Sequence, residues 1–158
     1  MKYFLILLLF LSTTTLFSEQ LKIKSDSFHA SEKKRVTVFK GKVQITKGAD
    51  ELNATVVSIY TDKKNHPVKY VAEGSVSFYI KTQNGAIYKG HSERAIVYPN
   101  QKEYQFFKNV HLEQINENKQ INGEEVIVNT EAGTAQAKGD GKAPVIMTFE
   151  IEEKEEKK

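Results

Sequence analysis

Residues 39–60 read FKGKVQITKGADELNATVVSIY, two alternating runs joined by a turn. Val43 and Ile45 alternate with Lys42, Gln44 and Thr46, the period-two pattern of a strand with one dry face. Gly48, Ala49 and Asp50 supply the turn. Leu52 and Ala54 then share a face, but the apolar series resumes at Val57 and Ile59, an odd step further on. A side-chain period of two does not tolerate such a step unless an extra residue intervenes. One β-bulge residue near Thr55 or Val56 returns every apolar side chain to the same side. The stretch is expected to be a hairpin with a phase correction, feeding one continuous apolar face.

The same alternation runs through most of the chain, and no segment gives a convincing 3.6-residue period. Upstream, Leu21 and Ile23 alternate with Lys22 and Lys24, and residues 35–39 are β-branched. Downstream, strands are expected at 68–72, 75–80, 86–89, 94–98, 104–107, 110–115, 120–121, 125–130, 134–138 and 145–151. Turn chemistry separates them at 62–67, 83–85, 99–101, 116–119 and 132–133. Pro144 stands just before the last strand, where a sheet edge tolerates a residue without an N–H. Many short strands with no helix to cover a sheet imply an all-β sandwich or barrel-like sheet whose apolar residues face one another.

At 158 residues there is room for one domain. Its amino terminus is distinctive: Lys2, an apolar run over 3–11, four hydroxyl residues, then Leu16, Phe17 and Ser18 before Glu19. That order matches a secretory signal peptide, and the apolar run is about half of the roughly 20 residues a membrane-spanning helix needs. The expected organisation is a signal peptide at 1–18, a β domain at 19–151 and a charged tail at 152–158, with the processed chain outside the cytoplasm. The sequence contains no Cys, which removes disulfides, thiolate catalysis, zinc–thiolate sites and a lipid-modified cysteine together. Basic and acidic residues number 23 and 20, a balance that gives no ground for a nucleic-acid partner.

Chemistry-bearing patterns are few. His29, His66, His91 and His111 show no metal-ligand spacing. Gly139, Asp140, Gly141 and Lys142 lack the first Gly and the hydroxyl residue of a phosphate loop, and read as a turn. Carboxylates are scattered, so no acid–base pair is evident. Neither an enzymatic activity nor a cofactor is expected. Asn53, in Glu51-Leu52-Asn53-Ala54-Thr55, is a candidate N-linked modification site carrying the N-x-T pattern with an acidic residue two positions before it.

The opening unit recurs. Phe39-Lys40-Gly41-Lys42-Val43 is followed by Ala72-Glu73-Gly74-Ser75-Val76 and Phe106-Phe107-Lys108-Asn109-Val110, at intervals of 33 and 34 residues between the valines. The odd step recurs as well: Ser25-Asp26, Ala54-Thr55, Ser92-Glu93 and Gly123-Glu124 each place a small residue before a polar one. A near-fixed period marks stacked β units, each too small to bury its own apolar face.

The ordered set I-x-S-D, V-x-F-x-G-x-V-x-I-x-x-G, L-x-A-x-x-V-x-I, G-H and I-x-G-E-x-V-x-V resembles the OstA-like family from about Leu21 to Phe149. Lys42 and Ser75 stand where that family has Asn after the Gly, and Lys108 replaces the third Gly. The resemblance implies an open β-jellyroll with an apolar interior groove that holds the acyl chains of lipopolysaccharide (lipid A). It also implies a periplasmic bridge with an LptC-type partner at the inner membrane and an LptD-type partner at the outer membrane. Both contacts, and head-to-tail self-association, would be made through the terminal strands 21–25 and 145–151. A membrane-anchored, LptC-like component of the same pathway and a purely structural envelope repeat protein are the alternatives.

The expected groove lining is Leu21, Ile23, Val43, Ile45, Leu52, Ala54, Val57, Ile59, Val76, Phe78, Ile80, Tyr98, Phe107, Val110, Leu112, Ile121, Val126 and Val128. The same set would also serve as an ordinary packed core. Lys22, Lys24, Lys33, Lys34, Arg35, Lys40, Lys42 and Lys47 bias the first third positively, as a solvated face or as partners for lipid phosphates.

Overall fold

The computed structural model describes residues 19–152, so the signal-peptide expectation and all but Glu152 of the charged tail lie outside the described residues. Ten strands form one antiparallel sheet: β1 (Leu21–Lys24), β2 (Ser27–Ser31), β3 (Val36–Lys47), β4 (Asp50–Thr61), β5 (Pro67–Lys81), β6 (Ile87–Tyr98), β7 (Glu103–Gln114), β8 (Lys119–Asn129), β9 (Thr134–Lys138) and β10 (Ile146–Phe149). Its order is β1-β3-β4-β5-β6-β7-β8-β10, with β2 also on β3 and β9 also on β8. The sheet does not close, so β1 and β2 form one edge and β9 and β10 the other. Single 3-10 turns at Pro99–Gln101 and Ile115–Glu117 cap two hairpins. No helix among the described residues is long and apolar enough to cross a membrane.

A line of irregularity crosses the sheet and divides it into two halves. In β3, β5 and β7 it is a pair of left-handed residues: Gly41 and Lys42 (φ 83° and 46°), Gly74 and Ser75 (82° and 47°), and Lys108 and Asn109 (63° and 49°). Each pair stands opposite one residue of the following strand, respectively Thr55, Glu93 and Glu124. Two residues against one is a β-bulge, which bends the strand that carries it. The odd step at Thr55 is therefore present, but the extra residue expected near Thr55 or Val56 lies instead across from Thr55, on β3. At both edges the line falls in a break of the chain, between β1 and β2 and between β9 and β10. The sheet creases along this line.

The crease explains the main departures from the expected strands. The pairs 68–72 and 75–80, 86–89 and 94–98, 104–107 and 110–115, and 120–121 and 125–130 are each one long strand running through it. Gly74 and its equivalents, which resemble turn residues in sequence, take a bulge conformation that keeps the chain going forward. Lys42, Ser75 and Lys108, the departures from the family pattern, all hold the left-handed backbone that Gly or Asn adopts more easily.

Polar residues stitch the crease. The Asp26 N–H donates to the carbonyls of Lys40 (3.1 Å) and Gly41 (2.9 Å). The Thr55 hydroxyl donates to the Gly74 carbonyl at 3.2 Å. Asn109 donates from Nδ2 to Glu93 at 2.6 Å and from its N–H to Glu124 at 3.4 Å. The small-then-polar signature in the sequence thus marks residues that hold the neighbouring bulge.

The two halves fold toward each other, so one face of the sheet becomes the inside. Below the crease the inner row runs Phe39, Val57, Ala72, Ala95, Phe106, Val126 and Ala137 across seven strands. Above it, Ile23, Ile45, Leu52, Phe78, Gly90, Leu112, Ile121 and Met147 are successive partners. Val43, Val57, Val76 and Val126 are at most 1% exposed and form the floor of the fold. The arrangement is an open all-β jellyroll.

Candidate functional site

Away from the crease the halves diverge and leave a cavity of about 830 Å³. Its upper wall is Leu21, Ile45, Leu52, Phe78 and Ile80, and its lower wall is Val57, Tyr70, Ala72, Ala95, Val97, Tyr104 and Phe106. A second space of about 220 Å³ continues toward β10, lined by Tyr88, Leu112, Ile121, Val128, Ala135 and Met147. Thr82, Asn84 and Thr130 border both, so the two form one groove along the sheet.

Alternation decides which side chains reach this groove. Once Val43 and Ile45 point inward, Leu52 and Phe78 follow by cross-strand register, and the bulges carry the same face below the crease. Phe78 and Phe106 stack across the interior with centroids 4.1 Å apart and planes at 20°. Their approach needs Gly90, the β6 partner of Phe78: a Cβ there would collide with the His111 carbonyl and press on the Phe78 ring. No partner is needed for polar groups inside, since no buried side-chain N or O lacks a hydrogen bond among the described residues.

Charged residues border the groove as well: Glu19, Lys47, Asp50, Glu51, Lys81, Lys102 and Glu131 at the larger cavity and Lys119 at the smaller. Asp50 accepts a hydrogen bond from the Lys81 N–H at 2.8 Å. Burial nevertheless holds its carboxyl above the ordinary value, with the Lys81 N–H opposing, Glu19 adding and Lys47 opposing. Burial also pushes the Tyr104 phenol up, and the Asp50 carboxylate across the mouth adds to it. Burial alone raises Tyr70. These phenols are neutral at any physiological pH and add no charge to the wall.

The structure brings most of the expected lining together. Leu21, Ile45, Leu52, Val57, Phe78 and Ile80 border the larger cavity, and Leu112, Ile121 and Val128 the smaller. Val43, Ala54, Val76, Val110 and Val126 are packed in the core nearer the crease, Ile59 is buried further from it as the partner of Tyr70, and Ile23 packs against the core. Tyr98 and Phe107 are corrections: their neighbours Val97 and Phe106 take the inner positions, and by alternation Tyr98 and Phe107 face outward. Both strands have adjacent apolar residues at these points (Ala95–Tyr98, Phe106-Phe107), which leaves the phase undetermined by sequence. Tyr70, Ala72, Tyr88, Ala95 and Tyr104 are inner residues the sequence reading omits, and cross-strand register from Val57 and Phe78 is the signal that finds them.

The remaining candidates lie outside the groove. Asn53 is on the outer face, its Nδ2 donating to Glu51 at 2.8 Å and Ser77 at 3.4 Å. The Asn53 bond first, and a second from Gln44 Nε2 at 3.1 Å, hold the Glu51 carboxyl below its ordinary value. His91 and His111 stack on the outer face with centroids 5.5 Å apart, and His111 Nδ1 is 2.8 Å from Asn122 Oδ1. Among the described residues no His, Asp and Glu cluster could hold a metal ion. Residues 139–142 are a turn in which Asp140 accepts the N–H groups of Lys142 and Ala143, both at 2.7 Å.

Residues 22–134 match the family described as LptA/(LptD N-terminal domain) LPS transport protein. The chain belongs to this family. The match includes every lining residue of the larger cavity except Glu19 and Leu21. Among solved structures the fold is similar to LptH, the LptA homologous periplasmic component of the conserved lipopolysaccharide transport device from Pseudomonas aeruginosa. The TM-score is 0.73 at 17% identity, covering 84% of this chain and 96% of LptH. No match was found among curated proteins. At that identity the LptH likeness establishes the jellyroll, while membership of the LPS transport family rests on the sequence match.

Proposed function

We propose that the protein is a non-enzymatic periplasmic carrier of lipopolysaccharide that holds the lipid's acyl chains in the groove between the two halves of the jellyroll. The observation that supports it most is a cavity of about 830 Å³ with apolar side chains from both halves of the sheet facing it, in a chain of the LPS transport family. That volume lies within the ~300–1,000 Å³ range of ligand sites. Each acyl methylene taken from water contributes roughly 0.8 kcal/mol, so a few chains suffice for firm but transferable binding.

The two open edges suit transfer. β1 and β10 each present one unpaired ladder, and exposed ladders recruit strands of other chains. In this reading β1 with β2 meets the inner-membrane, LptC-type component, β10 with β9 meets the outer-membrane, LptD-type component, and copies stack head to tail. Exposed Leu21, Phe28, Met147 and Phe149 at those edges continue the apolar lining toward a neighbour. The test is isolation of the chain from envelopes followed by assay for co-purified lipopolysaccharide. Lipid-free protein that also fails to acquire lipopolysaccharide from micelles would overturn the proposal.

A further inference from the structure

The two halves differ on their outer faces. Above the crease the outward row is polar: Gln44, Asn53, Ser77, His91, His111 and Asn122 follow one another across six strands. Below it, the outward row is Val38, Ser58, Val71, Ile96, Gln105, Ile127 and Gln136, four of the seven apolar, with Val56 and Phe107 in the adjoining row. Val38, Val56, Ile96, Phe107 and Ile127 are half-buried and lie outside the interior cluster, while Val71 between them is only 8% exposed. The charges beside them are paired among themselves, Arg94 with Glu73 at 3.5 Å and Lys138 with Glu125 at 3.7 Å. None of these residues lines the groove or the concavity at His91, His111 and Pro144.

One end of this face carries an unbalanced charge. The β2–β3 and β4–β5 hairpin tips lie side by side, the Thr61 N–H donating to the Arg35 carbonyl at 3.0 Å. They present Lys33, Lys34, Arg35, Lys63 and Lys64, all exposed, against Glu32 and Asp62. Asp62 is turned inward on its own loop, accepting the N–H groups of Lys64 (2.8 Å) and His66 (2.9 Å). None of the five cations is within ion-pair distance of a carboxylate among the described residues. Tyr60 borders the same tips, with Lys69 4.3 Å above its ring.

We propose that this apolar outer face, with its cationic tips, docks on an anionic phospholipid bilayer. Charge complementarity names the occupant: five exposed cations without an ion-pair partner among the described residues stand beside part-exposed apolar side chains, the combination an anionic bilayer takes up. Each Lys or Arg near an anionic surface adds attraction that falls off within a Debye length. Tyr60 and Tyr98, at the tip end of the face, have the apolar body and polar hydroxyl suited to headgroup depth. The proposal does not depend on what fills the groove.

The test is flotation of the purified chain with vesicles free of lipopolysaccharide, made of phosphatidylcholine alone or with phosphatidylglycerol. Binding is expected to rise at least about tenfold with phosphatidylglycerol and to collapse at high salt. Lys33→Glu/Lys63→Glu/Lys64→Glu should abolish that gain, while Lys22→Glu/Lys89→Glu/Lys142→Glu, with the same charge change elsewhere and identical termini, should keep most of it. The sequence contains no Trp, so Phe107→Trp reports the face directly: its emission should shift blue on anionic vesicles and Lys89→Trp emission should not. Equal binding to both vesicle types, an unshifted Phe107→Trp signal, or equal loss in both triple variants would overturn the proposal. So would a dimer that buries Phe107→Trp in the absence of vesicles, which would assign the face to a second copy.

Discussion

Phe78 and Phe106 stack at 4.1 Å although β6 lies between their strands in the sheet. Phe78 is above the crease, paired with Leu52 and Gly90, and Phe106 is below it, paired with Ala95 and Val126. Their contact is therefore between the two layers and pins the halves at the inner end of the groove. A cycle of Phe78→Leu and Phe106→Leu, read by urea unfolding, is expected to give a coupling of about 0.5–1.5 kcal/mol. Additive losses would mean that the halves are held apart from each other.

Adjacent aromatics distinguish the two faces. Phe106→Ala removes a side chain that is 2% exposed and is expected to cost about 3–5 kcal/mol. Phe107→Ala, on the outer face, should cost about 1 kcal/mol or less. The reverse order in denaturation midpoints would move the inner face of β7 by one residue.

The crease stores local backbone cost that substitution can release or increase. Lys108 holds φ 63° with a Cβ, and Lys108→Gly should stabilise the fold by about 1 kcal/mol. Gly41→Ala should destabilise it by at least about 1–2 kcal/mol, because φ is 83° and the new Cβ would collide with the Asp26 side chain. Thermal unfolding of both variants checks the pair of signs together.

Two carboxylates predict opposite pH dependences. Asp50 is held above its ordinary value chiefly by burial, so the folded chain takes up its proton more readily than the unfolded one. Its contribution favours the fold at low pH and is lost as pH rises through the window above the ordinary value. Asp62 is held below its ordinary value first by the His66 N–H, so its contribution is present at neutral pH and is lost as pH falls through the window below that value. Relative to the parent chain, Asp50→Asn should gain stability and Asp62→Asn should lose it between about pH 3 and neutrality.

The fold was legible where apolar and polar residues alternate strictly. Val43-Gln44-Ile45 and Val76-Ser77-Phe78-Tyr79-Ile80 fix one face without help, and the structure places these apolar residues inward. Below the crease the strands are apolar on both faces, as at Ala95-Ile96-Val97-Tyr98 and Phe106-Phe107, and periodicity there carries no phase information. Phe107 and Tyr98 were expected inside for that reason. The odd step at Ala54–Val57 was readable, but a bulge and a turn share the same Gly-containing residues, so one long strand appeared as two. Strand β2 was hidden because an edge strand, mostly exposed, needs little apolar patterning.

The central claim is that lipid acyl chains lie between the two halves. Its most direct measurement places a photoreactive residue at Leu52 or Ile80, in the groove wall, and at Asn53 or Tyr79, their neighbours on the outer face. After irradiation in cells, the account predicts lipopolysaccharide adducts at 52 and 80 and none above background at 53 and 79. Adducts equally at all four positions, or only at 53 and 79, would contradict it.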